Sequence, residues 1–311
     1  MIDMLSSPLM QRSLIAALLV GASAPIVGTY LVQRRLALLG DGIGHISLTG
    51  VAAGWLVGAF VGIAEPESFA LPGALIVAVA GSVGIEWVRS KGRVTGDVAM
   101  AILFYGGIAG GVVLIHIAGG TSANLMTYLF GSIATVSTTD VWWTAALVLL
   151  VLVVGLGLLP TFFAISHDED FARASGIPAQ WYSSLLAAMA AIMVTTAMRV
   201  VGLLLVSALM IVPVAAAQVF SRSFIATMAS ASAIGATVSV AGLTITYFYD
   251  LPPGAIIVVL AIAVYAVALA INTGRHRRLS PDNAHPNIPD DVVVGTSPAR
   301  FRADWHDSYA E

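Results

Sequence analysis

Long apolar runs separated by short polar turns fill the chain up to about residue 272. Crossing the hydrocarbon of a bilayer takes about 20 consecutive, mostly apolar residues. Nine runs approach or exceed that length, over 13–33, 44–63, 69–88, 97–118, 141–164, 179–198, 201–220, 224–247 and 253–272. The stretch from Ser122 to Val136 is apolar but too short to span, and Gly131 and Ser132 interrupt it. It reads as a re-entrant or interfacial helix, tolerated at membrane depth only when buried against protein. The expected fold is therefore all-α, a polytopic membrane protein with about nine transmembrane helices and a short re-entrant helix. No helical or strand period survives among Pro281, Pro286, Pro289 and Pro298. The pattern thus divides the chain into a transmembrane domain, 1–272, and a polar, mostly disordered tail, 273–311.

Composition sharpens this. Only 10% of the 311 residues are charged, against roughly 25% in a soluble domain. Of the 31 charged residues, eleven lie from Thr273 onward. That excludes a soluble enzyme, and it excludes a nucleic-acid binder, which needs a basic patch. The net charge of −3 adds nothing, because the distribution matters and the sum does not. There is no cysteine, so disulfides, thiolate metal sites and cysteine nucleophiles are ruled out. Asp3 and the lack of a basic cluster before the first run argue for a retained span rather than a cleaved signal peptide.

Charge also sets an expected orientation. With the first span running from outside to inside, one side collects Arg34, Arg35, Arg89, Lys91, Arg93, Arg173, Arg222, Arg275, Arg277 and Arg278. The other side carries Arg12 and Arg199, with Glu65, Glu67 and Asp250. The positive-inside rule then places the N-terminus outside and the C-terminus in the cytoplasm.

Candidate chemistry is sparse. Asp41 and His45 stand four apart where the second run opens, so on a helix they share one face. A carboxylate and an imidazole so placed can hold a divalent cation. They read equally as an interfacial pair, with Asp41 capping the helix start. Gly50, Gly54, Gly58 and Gly62 follow at a strict four-residue period, which suits close helix packing in lipid. Between the fifth and sixth runs, Ser166 followed by Glu169 fits a capping box, and Asp168, Glu169 and Asp170 suit a first helical turn. Gly176 and Pro178 supply the stop. This polar helix, over 167–175, is either a docking element for a cytosolic partner or a solvated surface helix. His116, Asp140 and Arg199 lie at outer ends of spans, as pathway or gate candidates or as interfacial residues. No P-loop, nucleophile elbow or H-E-x-x-H motif occurs, so any ATP-driven work needs a second chain.

Five segments together resemble the permease subunits of bacterial ABC importers for zinc, manganese or iron. They are Gly40–Leu48, Tyr128–Gly131, Asp168–Gly176, Arg199–Pro213 and Asp250–Gly254, in the right order over about residues 12–272. The resemblance implies the metal-ABC permease fold. It implies that Asp41 and His45 touch the transported metal, with no permanent cofactor. It also assigns Asp168, Glu169, Asp170, Phe171, Arg173 and Gly176 to docking of a cytoplasmic ATPase. A second permease copy, an extracytoplasmic metal-binding protein and membrane lipids complete the implied partners, with no nucleic acid, in the bacterial inner membrane. The chain itself would not be an enzyme. An ion-coupled secondary transporter is the alternative. Two departures stand out: the tail is longer than usual, and Gly42 and Gly44 replace larger residues.

Overall fold

The computed structural model of the chain describes residues 6–62, 66–92, 95–118, 129–131, 136–249 and 251–279. Eleven helices and one 3-10 turn form there, and no strand occurs among the described residues. In chain order the helices are α1 (Pro8–Gln33), α2 (Leu39–Val61), α3 (Ala70–Ser90), α4 (Gly96–Ile117), α5 (Thr138–Gly157), α6 (Leu159–His167), α7 (Glu169–Ala174), α8 (Ala179–Val201), α9 (Leu203–Gln218), α10 (Phe224–Tyr249) and α11 (Pro253–Leu279). Eight of them, α1 to α5, α8, α10 and α11, are long and apolar enough to cross a membrane.

The seventh expected span, 201–220, differs. It folds as α9, whose 16 residues rise about 24 Å at 1.5 Å per residue, short of the roughly 30 Å hydrocarbon. Gly202 separates it from α8 at φ 89° and ψ 153°, a backbone conformation that side chains other than glycine avoid. The run expected over 141–164 is likewise two helices, α5 and α6, joined at Leu158. Pro160 falls in the first turn of α6, where its missing N–H costs nothing. Helix α11 continues to Leu279, past the boundary expected at 272. Residues 122–128 and 132–135 of the expected re-entrant helix, Asp250 and the tail from 280 lie outside the described residues.

Burial sorts the spans into a centre and a rim. Buried shares are 72% for α1, 67% for α8 and 61% for α2, but 33% or less for α3, α4, α5, α10 and α11. The rim helices turn Ile76, Ile102, Leu149 and Val259 outward. Such faces suit lipid, where apolar side chains need no burial in protein.

Contacts at the centre are made backbone to backbone. Gly50 and Gly54 of α2 meet Gly73 of α3, where an added Cβ on Gly73 would stand 2.7 Å from the Gly54 Cα. No side chain fits, so the seam gains its dispersion energy from closely apposed helices. Gly62, the last rung of the ladder, does not pack in the seam; at φ 73° it ends α2 in a left-handed cap. Tyr30 of α1 ties in three more helices. Its hydroxyl donates to the Gly155 carbonyl of α5 at 2.7 Å. Its ring lies 5.3 Å from Phe162 of α6 and 5.5 Å from Phe224 at the start of α10.

Candidate functional site

Helix α2 begins at Leu39, five residues before the hydrophobic run that suggested it. Glycines at 40, 42 and 44 cost about 1 kcal/mol each against alanine in a helix, so intrinsic propensity does not start this turn. Packing does. Gly40 faces Ser207 and Gly44 faces Leu203, both of α9, while Gly42 faces Leu103 of α4. Three missing side chains let two helices close on the turn.

Asp41 therefore lies inside the helix and does not cap it; the cap position belongs to Leu38. The carboxylate of Asp41 accepts a hydrogen bond from the Ser207 hydroxyl. It also lines a cavity of about 330 Å³ with Leu38, Met100, Ala101, Phe104 and Tyr105. Leu38 and Tyr105 are exposed, so the cavity opens on the surface of this chain. His45, one turn on, is 7% exposed. Its ring meets Phe104 edge to face at 4.3 Å and 76°, against the wall of the same cavity. Among the described residues its buried Nδ1 has no hydrogen-bond partner. An orphaned buried nitrogen costs about 1–3 kcal/mol, so it calls for a partner that the described residues do not supply.

Helix α4 approaches α2 at this level because residue 107 is glycine: a Cβ there would overlap the His45 backbone. Thr49, a further turn along α2, donates to the Gly107 carbonyl at 2.7 Å. The pair on α2, a second-helix hydroxyl on the carboxylate and a two-residue grip on α4 make a preorganised oxygen-and-nitrogen donor set. Sequence reasoning missed Ser207. Its only signal was a small polar residue in an otherwise apolar run, the kind that bonds across helices in lipid.

Of the other candidates, His116 and Asp140 are not brought to this cavity. His116 is exposed near the end of α4, about 16 Å beyond Tyr105 at 1.5 Å per residue. Asp140 forms a capping box with Ser137 at the start of α5, its N–H donating to Ser137 Oγ at 3.1 Å and its carboxylate accepting the Ser137 N–H at 2.9 Å. Arg199 belongs to α8, and its side chain lies outside the described residues. Among the described residues no group of three or more His, Asp or Glu gathers at a point.

The polar helix between α6 and α8 also forms differently from expectation. His167 ends α6, and α7 covers only Glu169–Ala174. Asp168, not Ser166, is its cap, accepting the Phe171 N–H at 2.9 Å. Ser166 is buried within α6 instead. Ala172 packs inward with Ile165 and Ala179, while Phe171 is 69% exposed. Gly176 takes φ 86° to end the element. Helix α7 thus holds a large aromatic outward behind an acidic, capped first turn.

Eight helices long and apolar enough to cross a membrane, among described residues that form no strand, define a polytopic α-helical membrane protein. The chain belongs to the ABC 3 transport family, whose family model matches residues 6–272. It is 34% identical over 266 residues to the manganese transport system membrane protein MntC of Halalkalibacterium halodurans, covering 86% of this chain and 88% of that protein. It is 31% identical over 262 residues to the manganese import system permease protein ScaB of Streptococcus gordonii, covering 84% and 91%. Its fold matches PsaBC from Streptococcus pneumoniae in complex with Fab, with TM-score 0.75 and 30% identity over 86% of this chain and 93% of that one.

Proposed function

We propose that the chain is the membrane permease of an ATP-driven importer of a divalent transition metal, with manganese first among zinc, manganese and iron. The observation that carries this is the buried, unpartnered Nδ1 of His45 beside an Asp41 carboxylate held by Ser207. Manganese is favoured by the names of the relatives and by a carboxylate, a hydroxyl and water as partners, which suit hard ions; the imidazole keeps zinc and ferrous iron open. Two side chains do not complete a coordination shell of four or more. Water, main-chain oxygen or a second copy placed against the open face of the cavity supplies the rest. Such incomplete ligation suits transport, in which the ion must leave as well as enter.

With no nucleotide motif of its own, the chain takes its drive from a cytoplasmic ATPase on α7, and its cargo from an extracytoplasmic metal-binding protein. Membership of the transport family removes the ground for an ion-coupled secondary transporter. The test is reconstitution with the ATPase subunit in liposomes, with the extracytoplasmic metal-binding protein supplied on the face opposite the ATPase. ATP-dependent entry of manganese ion that needs both subunits supports the reading; entry of neither manganese, zinc nor iron under those conditions overturns it.

Orientation is proposed with the N-terminus outside and the C-terminus inside, in the bacterial inner membrane. Because the sequence has no cysteine, single substitutions report without background. Ser90→Cys and Ser175→Cys are expected to react with a membrane-impermeant maleimide only from the cytoplasmic side, and Ser68→Cys only from outside. The reverse pattern at two of the three sites inverts the topology.

A further inference from the structure

We infer that Glu86, with Arg34 and Arg89, is the joint through which the docking helix moves the transmembrane bundle. The inference rests on α7 being the docking helix. Its apolar contacts are local, through Ala172 to the ends of the flanking helices. Its tie to α1 and α3 is ionic and runs through Glu169. That carboxylate accepts from Arg34 Nη2 at 2.6 Å, lies 3.9 Å from Arg89 Nη2, and is braced from its own helix by Arg173 at 3.1 Å.

Glu86 closes the cluster from below. It takes both Nε and Nη2 of Arg89, at 2.9 and 2.7 Å, and stands 4.0 Å from Arg34. The side chains of Arg34 and Glu86 are each 5% exposed. Two acids and two arginines from three separate segments therefore share their charges, Arg34 and Glu86 shielded from water and Arg89 and Glu169 at its edge, each 28% exposed. Removing one partner leaves a buried charge uncompensated, so the cluster stays together or reorganises as a whole.

The attachments give it a lever. Arg34 caps α1, the most buried span. Glu86 and Arg89 end α3, whose other end is locked by the glycine seam to α2, the helix carrying Asp41 and His45. A displacement of Glu169 thus acts on the central helix and on the helix packed against the metal pair. Glu86 is 3% exposed as a whole residue and pairs with Arg34 and Arg89, so it acts through them; it is a positioning residue.

The test uses the assembled transporter in liposomes, reading ATPase co-purification, ATP hydrolysis and manganese moved per ATP. Glu86→Gln is expected to keep wild-type co-purification and to go on hydrolysing ATP, while manganese moved per ATP falls about fivefold or more. Arg34→Gln and Glu169→Gln should each lower that ratio, and the double variant should be no worse than the poorer single, the signature of a shared interaction. Additive losses, or a wild-type ratio in Glu86→Gln, overturn the inference. If Glu86→Gln does not accumulate in the membrane, the Arg34/Glu169 cycle decides alone. Loss of co-purification in Glu169→Gln would make that residue a docking contact and overturn the joint while leaving the docking reading intact. Asp170→Arg and Phe171→Ala test the docking reading separately: wild-type co-purification and turnover in both would remove it, and the joint with it.

Discussion

Asp41→Ala and His45→Ala are each expected to lower metal uptake about 100-fold at normal expression, equivalent to ~2.7 kcal/mol of lost interaction with the ion. Insertion should be unaffected, because apolar spans carry it and neither side chain belongs to the apolar core. His45→Ala removes the nitrogen donor and leaves an oxygen-rich site, so residual transport should favour manganese over zinc. Ser207→Ala leaves both ligands but frees the carboxylate to turn, and an outer partner of this kind is worth about 10-fold in metal affinity. Ser207→Thr, which retains the hydroxyl, should recover part of that loss. Uptake assays with each ion check all four variants. Wild-type accumulation in both Asp41→Ala and His45→Ala would make the pair structural.

Gly107→Leu is expected to disable the protein with no ligand changed. The added side chain would have to occupy the space of the His45 backbone, so α4 must move off α2. Overpacking of this sort costs roughly 1–3 kcal/mol, visible as a lower melting temperature in detergent. Its larger effect falls on transport, because Phe104 and the Thr49–Gly107 bond are lost as supports of the pair. Gly106→Ala, one residue earlier, meets nothing within 4 Å and should melt and transport like the wild type. Equal behaviour of Gly106→Ala and Gly107→Leu would show that the α2–α4 contact does not position the site.

The class and most of the helices were readable from the sequence because lipid imposes one rule: a spanning segment must be apolar and satisfy its own backbone. Hydrophobic length alone therefore recovers α1, α3, α4, α8, α10 and α11 to within a few residues at most ends. The same rule fails where a run is continuous in composition but not in backbone. Gly202 and the Leu158–Leu159–Pro160 corner each divide one apolar stretch into separate helices, because hydropathy is blind to dihedral angles. The start of α2 was hidden for the opposite reason: its glycines look like a loop until α4 and α9 are seen packed against them.

The chemistry divides along the same line. A four-residue spacing was enough to bring out Asp41 and His45, since helical periodicity is local and follows from the chain. The burial, the orphaned nitrogen and the hydroxyl from 166 residues away, on which the proposal of a cation site rests, are visible only in the folded chain. Local capping rules likewise announced a short acidic helix, but placed its cap two residues early. Whether Ser166 or Asp168 takes the cap depends on α6 running on to His167, and the burial of Phe162 and Ile165 decides that. Of the union of Arg34, Glu86, Arg89 and Glu169, the sequence shows only the Glu86–Arg89 pair, three residues apart at a helix end; its joining to Arg34 and Glu169 was invisible there. Pairing over such separations is set by how three helices end beside one another, and no spacing along one chain encodes that. Sequence determines what each segment can be in a membrane; tertiary structure decides which polar groups meet, since only packing brings distant segments within hydrogen-bond reach.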